Sequence, residues 1–130
     1  MTTEGVAAGR CRCGAVGVWA RGEPVTVVYY HCRDCRRASG APVSLFGGYR
    51  MEQVETGPGV PKVYRSSPGV GRSFCGDCGT PLSYEDERLP GEVYVPVGFF
   101  DDPEPFAPEA HSWVSQRLEC IDIPDGLARH

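Results

Sequence analysis

Apolar residues recur at every second position in separate stretches of this chain. In AVGVWA, Val16, Val18 and Ala20 fall on one face, and in GEVYVPVGFF, Val93, Val95 and Val97 do the same. PVTVVYYHC runs as a β-branched and aromatic segment. A period of two belongs to strands, because successive side chains leave a strand on opposite sides. Between these stretches lie ETGPGVPK, RSSPGVGR and DDPEPFAPEA, all dense in turn residues. The last is acidic and punctuated by proline, and reads as a solvated connector. The best helical candidate is one or two turns around RDCRRAS. No internal repeat or linker is visible, and GPG and GVG lack the strand–loop–helix context of a phosphate-binding loop.

Composition sharpens this pattern. A chain of 130 residues fits a single domain, residues 1–130, with a modest core. Valine occurs 15 times and leucine 5, which favours pleated, half-buried surfaces over helices. Gly and Pro together number 29, so elements should be short and the class mainly β. The formal charge is −4, with Lys62 the sole lysine against 12 arginines. That balance leaves no basic stripe for nucleic acid, and none is expected as a partner. MTTEGVAAGR lacks the apolar core of a secretory signal, and no stretch is long enough to span a bilayer. The expected place is the cytoplasm, without membrane attachment. In a reducing compartment the seven cysteines are better read as metal ligands or reactive thiols than as disulfides.

Six of those cysteines form three pairs: Cys11 with Cys13, Cys32 with Cys35, and Cys75 with Cys78. On a strand, CRC directs both thiolates to one face. FCGDCG has the form of a zinc knuckle, with Gly76 and Gly79 where the backbone must curl around a metal. Cys11, Cys13, Cys75 and Cys78 would therefore close one tetrahedral shell, a structural site joining distant parts of the domain. In peptide models such zinc is worth roughly 10–16 kcal/mol, comparable to the whole stability of an ordinary domain. Cys32 and Cys35 are left as an incomplete second set. A redox role for them lacks a surrounding βαβ pattern. Cys120 alternates with Ile121 and Ile123 and is expected in the core.

The motifs CRCGAV, HCRDCRRASG and RSFCGDCGTPL, in that order, with the ending HSWVSQRLECIDIPDGLARH, resemble the glutathione-dependent formaldehyde-activating enzyme family. The likeness runs from about Gly9 to Gly126, and the zinc domain of centromere protein V, a chromatin-associated protein, is of the same type. The resemblance implies a β-tent of small antiparallel sheets held by zinc, with one short helix. It also implies that Cys11, Cys13, Cys75 and Cys78 hold a structural zinc. A second, catalytic zinc would be bound by a Cys-His-Cys-x-x-Cys motif, here by Cys32 and Cys35, but Tyr30 stands in place of its first cysteine. Strand geometry puts Tyr30 and Cys32 on one face and turns His31 away, to the surface or behind the ligands. His111 reads as structural. The second ion would then be weakly held.

The activity implied is that of a carbon–sulfur lyase, with Cys32 and Cys35 catalytic. It would join glutathione, or a related thiol, to formaldehyde or another small aldehyde. Arg33, Arg36 and Arg37 are candidates to attract the thiol's carboxylates. The alternative is a zinc-stabilised, non-enzymatic binding module whose second metal site has degenerated.

Overall fold

The computed structural model describes residues 5–130. Among these residues eleven strands form two sheets, joined by one short α-helix and three single-turn 3-10 helices. The smaller sheet is antiparallel and joins β1 (Val6–Arg10), β2 (Val16–Arg21) and β5 (Val54–Pro58) in the order β1-β2-β5. The larger begins with β3 (Thr26–Tyr30), β4 (Ser44–Arg50), β6 (Lys62–Ser67) and β7 (Val70–Phe74). It is completed by β8 (Pro81–Asp86), β9 (Glu92–Pro96), β10 (Ala110–Ser112) and β11 (Ala128–Arg129). Its order is β11-β10-β3-β4-β9-β8-β7-β6.

This is the mainly β architecture expected, with two corrections. One sheet has eight strands, and its edge is mixed: β10 runs parallel to both β3 and β11. ETGPG is also not all loop, since Val54–Pro58 pairs along β2.

The alternation in β2 and β9 does what period-two patterns do. Val16, Val18 and Ala20 are buried, and with Val93, Val95 and Val97 they form one core cluster with Tyr49 and Leu82. Tyr94, between the two valines of β9, points to the opposite face and meets Tyr30 and Tyr84 edge-on. β9 thus divides an aliphatic core from an aromatic cleft. DDPEPFAPEA is not a simple connector. Phe106 is buried and stacks on Phe100 with centroids 5.0 Å apart, and Glu109 Oε1 accepts the Val27 amide at 2.8 Å.

The helix α1 (Arg33–Ser39) forms where RDCRRAS predicts it. It ends because Gly40, at φ +75°, adopts the left-handed conformation and donates its amide to Arg36 O at 2.7 Å. Cys120 is exposed, not in the core. RLECIDI forms no strand, so its alternation has no sheet face to serve. Instead Arg117 gathers its carbonyls, donating to Leu118 O and Ile121 O. No helix among the described residues is long and apolar enough to cross a membrane.

Candidate functional site

Two cysteine assemblies stand apart. In the first, the sulfurs of Cys11, Cys13, Cys75 and Cys78 all lie within 4.8 Å of one another. Cys11 and Cys13 sit in a tight turn after β1, not on a strand: Gly14 N–H donates to Cys11 O at 2.9 Å. The turn, rather than strand alternation, swings both sulfurs inward. On the other side Gly79, at φ +80°, donates to Cys75 O at 2.8 Å and closes the knuckle.

The donor set fits zinc. A tetrahedral ion with bonds of ~2.3 Å separates its sulfurs by about 3.8 Å. Cys11 and Cys13 are 3.6 Å apart, and Cys13 and Cys75 3.7 Å. The charges also call for a cation. Cys78 is drawn down to about 5, first by the Thr80 hydroxyl, then by the Thr80 and Cys13 backbones. Burial would raise Cys11, but the Val16 amide and the neighbouring thiols bring it below its usual value. Cys13 is pushed up to about 12; the Ala15 backbone opposes this, and Cys11, burial, Cys75 and Cys78 outweigh it. Four thiolates cannot coexist here without a positive ion between them. Thr80 supports the cluster in a way the sequence does not signal. Its Oγ1 accepts the Arg12 amide at 3.1 Å and lies 3.2 Å from Cys78 Sγ, tying one turn to the other.

The second assembly lies at the start of α1. Cys32 and Cys35 are joined by a disulfide with Cα atoms 5.3 Å apart, a correction to the expectation of metal ligands or reactive thiols rather than disulfides. Cys32 is half-exposed, whereas Cys35 is buried. Among the described residues, the four-cysteine cluster is the one group of three or more Cys, His, Asp or Glu donors that converges on a point. A second zinc therefore does not fit the residues as they stand: the two sulfurs are bonded to each other, and no third donor completes them. Tyr30 faces the pair, as alternation predicts, but burial, then Tyr84 and Glu92, push its phenol up to about 12. It keeps its proton and makes a poor metal ligand.

His31 does point away from Tyr30 and Cys32, but not to the surface. Both His31 and His111 are fully buried. Their rings are joined Nε2 to Nδ1 at 2.9 Å, and His111 Nε2 meets Asp125 Oδ2 at 2.9 Å. Burial would raise Asp125, but the Leu127 amide and His111 hold it below its ordinary value. An ionised Asp125 only accepts, so His111 Nε2 carries a proton; in the neutral form of His111 its Nδ1 then accepts from His31 Nε2–H. This chain locks β10 beside β3 just before Cys32. His31 Nδ1 is left buried without a partner among the described residues.

Three cavities meet at the pair. One of about 690 Å³ includes Tyr30, Cys32, Cys35, Arg72, Tyr84 and Tyr94 in its wall. A second, about 570 Å³, shares Cys35, Arg72 and Tyr84 with it. A third, about 380 Å³, opens outward between Cys32, Arg33, Arg37, Trp113 and Gln116. Arg33 and Arg37 thus stand where a carboxylate can reach them. Arg36 does not, since it donates to His31 O and Gln116 O.

Sequence reasoning missed Arg72 and Trp113. The Arg72 guanidinium is largely buried, pairs with Asp34 at 2.8 Å, lies 3.7 Å from Cys35 Sγ and covers the Tyr84 ring. Trp113 holds an exposed side chain on left-handed backbone, φ +59°, a conformation that is rare for a bulky non-glycine residue. An arginine in VGRSF carries no local signal, since only the pairing of β7 in the sheet brings it under α1.

Comparison with known proteins follows the same lines. An uncharacterized lyase of Schizosaccharomyces pombe is 26% identical over 115 residues, covering 88% of this chain and 83% of the yeast protein. The crystal structure of a Rhodobacter sphaeroides protein aligns at a TM-score of 0.60 over 94% of this chain and 97% of that one, at 20% identity, a likeness of fold alone. The sequence model of the glutathione-dependent formaldehyde-activating enzymes matches residues 6–116. Since that match covers most of the chain, the protein belongs to the glutathione-dependent formaldehyde-activating enzyme family.

Proposed function

We propose that the protein is a carbon–sulfur lyase-type enzyme of the cytoplasm, joining glutathione or a related small thiol to formaldehyde or another small aldehyde. The observation that carries this reading is the meeting of three cavities at Cys32 and Cys35, beside a buried arginine. Zinc at Cys11, Cys13, Cys75 and Cys78 would hold the two turns together and stay outside the chemistry.

In this reading the thiol enters past Arg33 and Arg37, which attract its carboxylates. With the pair reduced, Cys35 stands beside Arg72, whose charge favours a thiolate able to take the substrate thiol's proton. The substrate sulfur attacks the carbonyl carbon, and the C=O π pair moves to oxygen. Tyr30, still protonated at neutral pH, donates to that oxygen. A proton passes from Cys35 back to Tyr30 through solvent, and the hemithioacetal leaves. The reverse sequence cleaves the carbon–sulfur bond.

The uncatalysed reaction proceeds by itself, so the test is an excess rate of approach to equilibrium between glutathione, formaldehyde and adduct. That excess should disappear in Cys35→Ser and fall in Tyr30→Phe with the fold intact. A zero excess across several thiols and aldehydes, with the pair reduced, would sink the enzyme reading. It would favour a zinc-stabilised binding module, the alternative to which Tyr30 in the cysteine position points.

A further inference from the structure

The second zinc does not fit, and the residues around Cys32 and Cys35 differ in a way that a metal site would not need. We propose that this pair is a thiol–disulfide exchange centre for low-molecular-weight thiols, with Cys32 the sulfur attacked and Cys35 the leaving sulfur. The inference borrows from the lyase reading only the class of thiol.

Exposure sets the order of attack. Cys32 is half-exposed and lines the outward cavity with Arg33, Arg37 and Trp113, while Cys35 is buried at 7%. Neither Arg33 nor Arg37 takes part in a salt bridge among the described residues. Both are exposed, so a thiol bearing carboxylates is drawn to the Cys32 side. Behind the pair, Arg72 Nη2 lies 3.7 Å from Cys35 Sγ. Arg72 Nε is buried with no partner among the described residues. The same Nη2 bonds Asp34 at 2.8 Å, so the guanidinium is held in place beside the sulfur on which charge would appear.

The step balances without any further reactant. A thiolate RS⁻ attacks Cys32 Sγ, the Cys32–Cys35 bond breaks, and its electron pair departs with Cys35 as a thiolate beside Arg72. The product is a mixed disulfide, Cys32–S–S–R. A second RS⁻ attacks the sulfur of R, forming RSSR and releasing Cys32 as a thiolate. Two thiols are oxidised to one disulfide, the protein pair gains two electrons, and the two thiol protons end on Cys32 and Cys35 or in solvent. Run in reverse, the reduced pair reduces a small disulfide.

The test uses the full chain with its metal retained. Cys35→Ser and Cys32→Ser are each reduced, freed of reductant and exposed to glutathione disulfide, and adducts are mapped by mass spectrometry. Cys35→Ser should acquire one glutathionyl group on Cys32, at least ~10-fold faster than Cys32→Ser acquires one on Cys35, as access dictates. Arg72→Met should slow reduction of the wild-type disulfide by glutathione while leaving trapping on Cys32 of Cys35→Ser unchanged. Equal trapping in both variants, or adducts confined to Cys120, would overturn the proposal. So would two zinc ions bound per chain by the reduced wild type, one of them lost on removing Cys32. Selective trapping without any excess rate of adduct formation would uphold this proposal and sink the lyase reading. An excess rate without trapping would do the opposite.

Discussion

The two cysteine assemblies are built from similar short motifs and held in opposite ways. Cys11, Cys13, Cys75 and Cys78 come from two backbone turns far apart in sequence, and Thr80 ties one turn to the other. Their four sulfurs, all within 4.8 Å of one another, are enough to fill a tetrahedral shell. Cys32 and Cys35 come from one turn of chain, face three cavities and have an arginine rather than further sulfurs behind them. The lesson is that Cys-x-x-Cys alone does not specify a metal. What decides is whether the fold brings a second pair of donors to meet the first. Tyr30 and the buried His31 show that at the second site it does not.

The largest effect should come from breaking the first assembly. Cys75→Ser leaves three thiolates in place of four and should abolish cooperative melting or cost several kcal/mol, since structural zinc in peptides contributes roughly 10–16 kcal/mol. Calorimetry with zinc analysis checks this; unchanged melting without metal would separate the cluster from stability. Next comes the buried chain beside the second assembly. His111→Leu removes the partner of both His31 and Asp125 and should cost about 2–4 kcal/mol in denaturant unfolding, while leaving zinc bound. Zinc loss in that variant would mean that the two regions are not independent.

Reducing the Cys32–Cys35 disulfide should matter less to the fold. It closes a loop of few residues, for which the chain-entropy estimate is about 2 kcal/mol. A melting shift as large as that of Cys75→Ser would erase the distinction between the assemblies.

Acid should act on the second region through His31. Burial, then the neighbouring His111, Arg117 and Arg129, hold His31 below its ordinary value. A lowered histidine binds fewer protons folded than unfolded. Its neutral form therefore stabilises fully above the unfolded value near ~6.5, and that contribution declines as pH falls below it. Denaturant midpoints from pH 8 to pH 5, with zinc retention followed alongside, should fall less steeply in His31→Leu than in wild type. Equal slopes would remove His31 from the account.

How much of this was legible beforehand depended on whether neighbours in sequence were neighbours in space. Val16, Val18 and Ala20, Val93 and Val95, and the helix at RDCRRAS follow from local periodicity and a glycine stop, and all were readable. The four-cysteine cluster was readable because zinc chemistry demands four donors and two pairs were on offer, although a turn, not a strand, aims CRC. The burial of His31 was not, since it depends on β10 pairing parallel to β3 and bringing His111 with it. Arg72 was hidden for the same reason, and Cys120 misled because alternation without a partner strand buries nothing.

The central claim is that only the first assembly is a metal site, and counting zinc tests it most directly. Wild type and a Cys32→Ser, Cys35→Ser variant would be fully reduced, loaded with excess zinc and dialysed, and zinc per chain measured in each. The account predicts one zinc per chain in both proteins. Two in wild type falling to one in the variant would contradict it and restore a metal at Cys32 and Cys35.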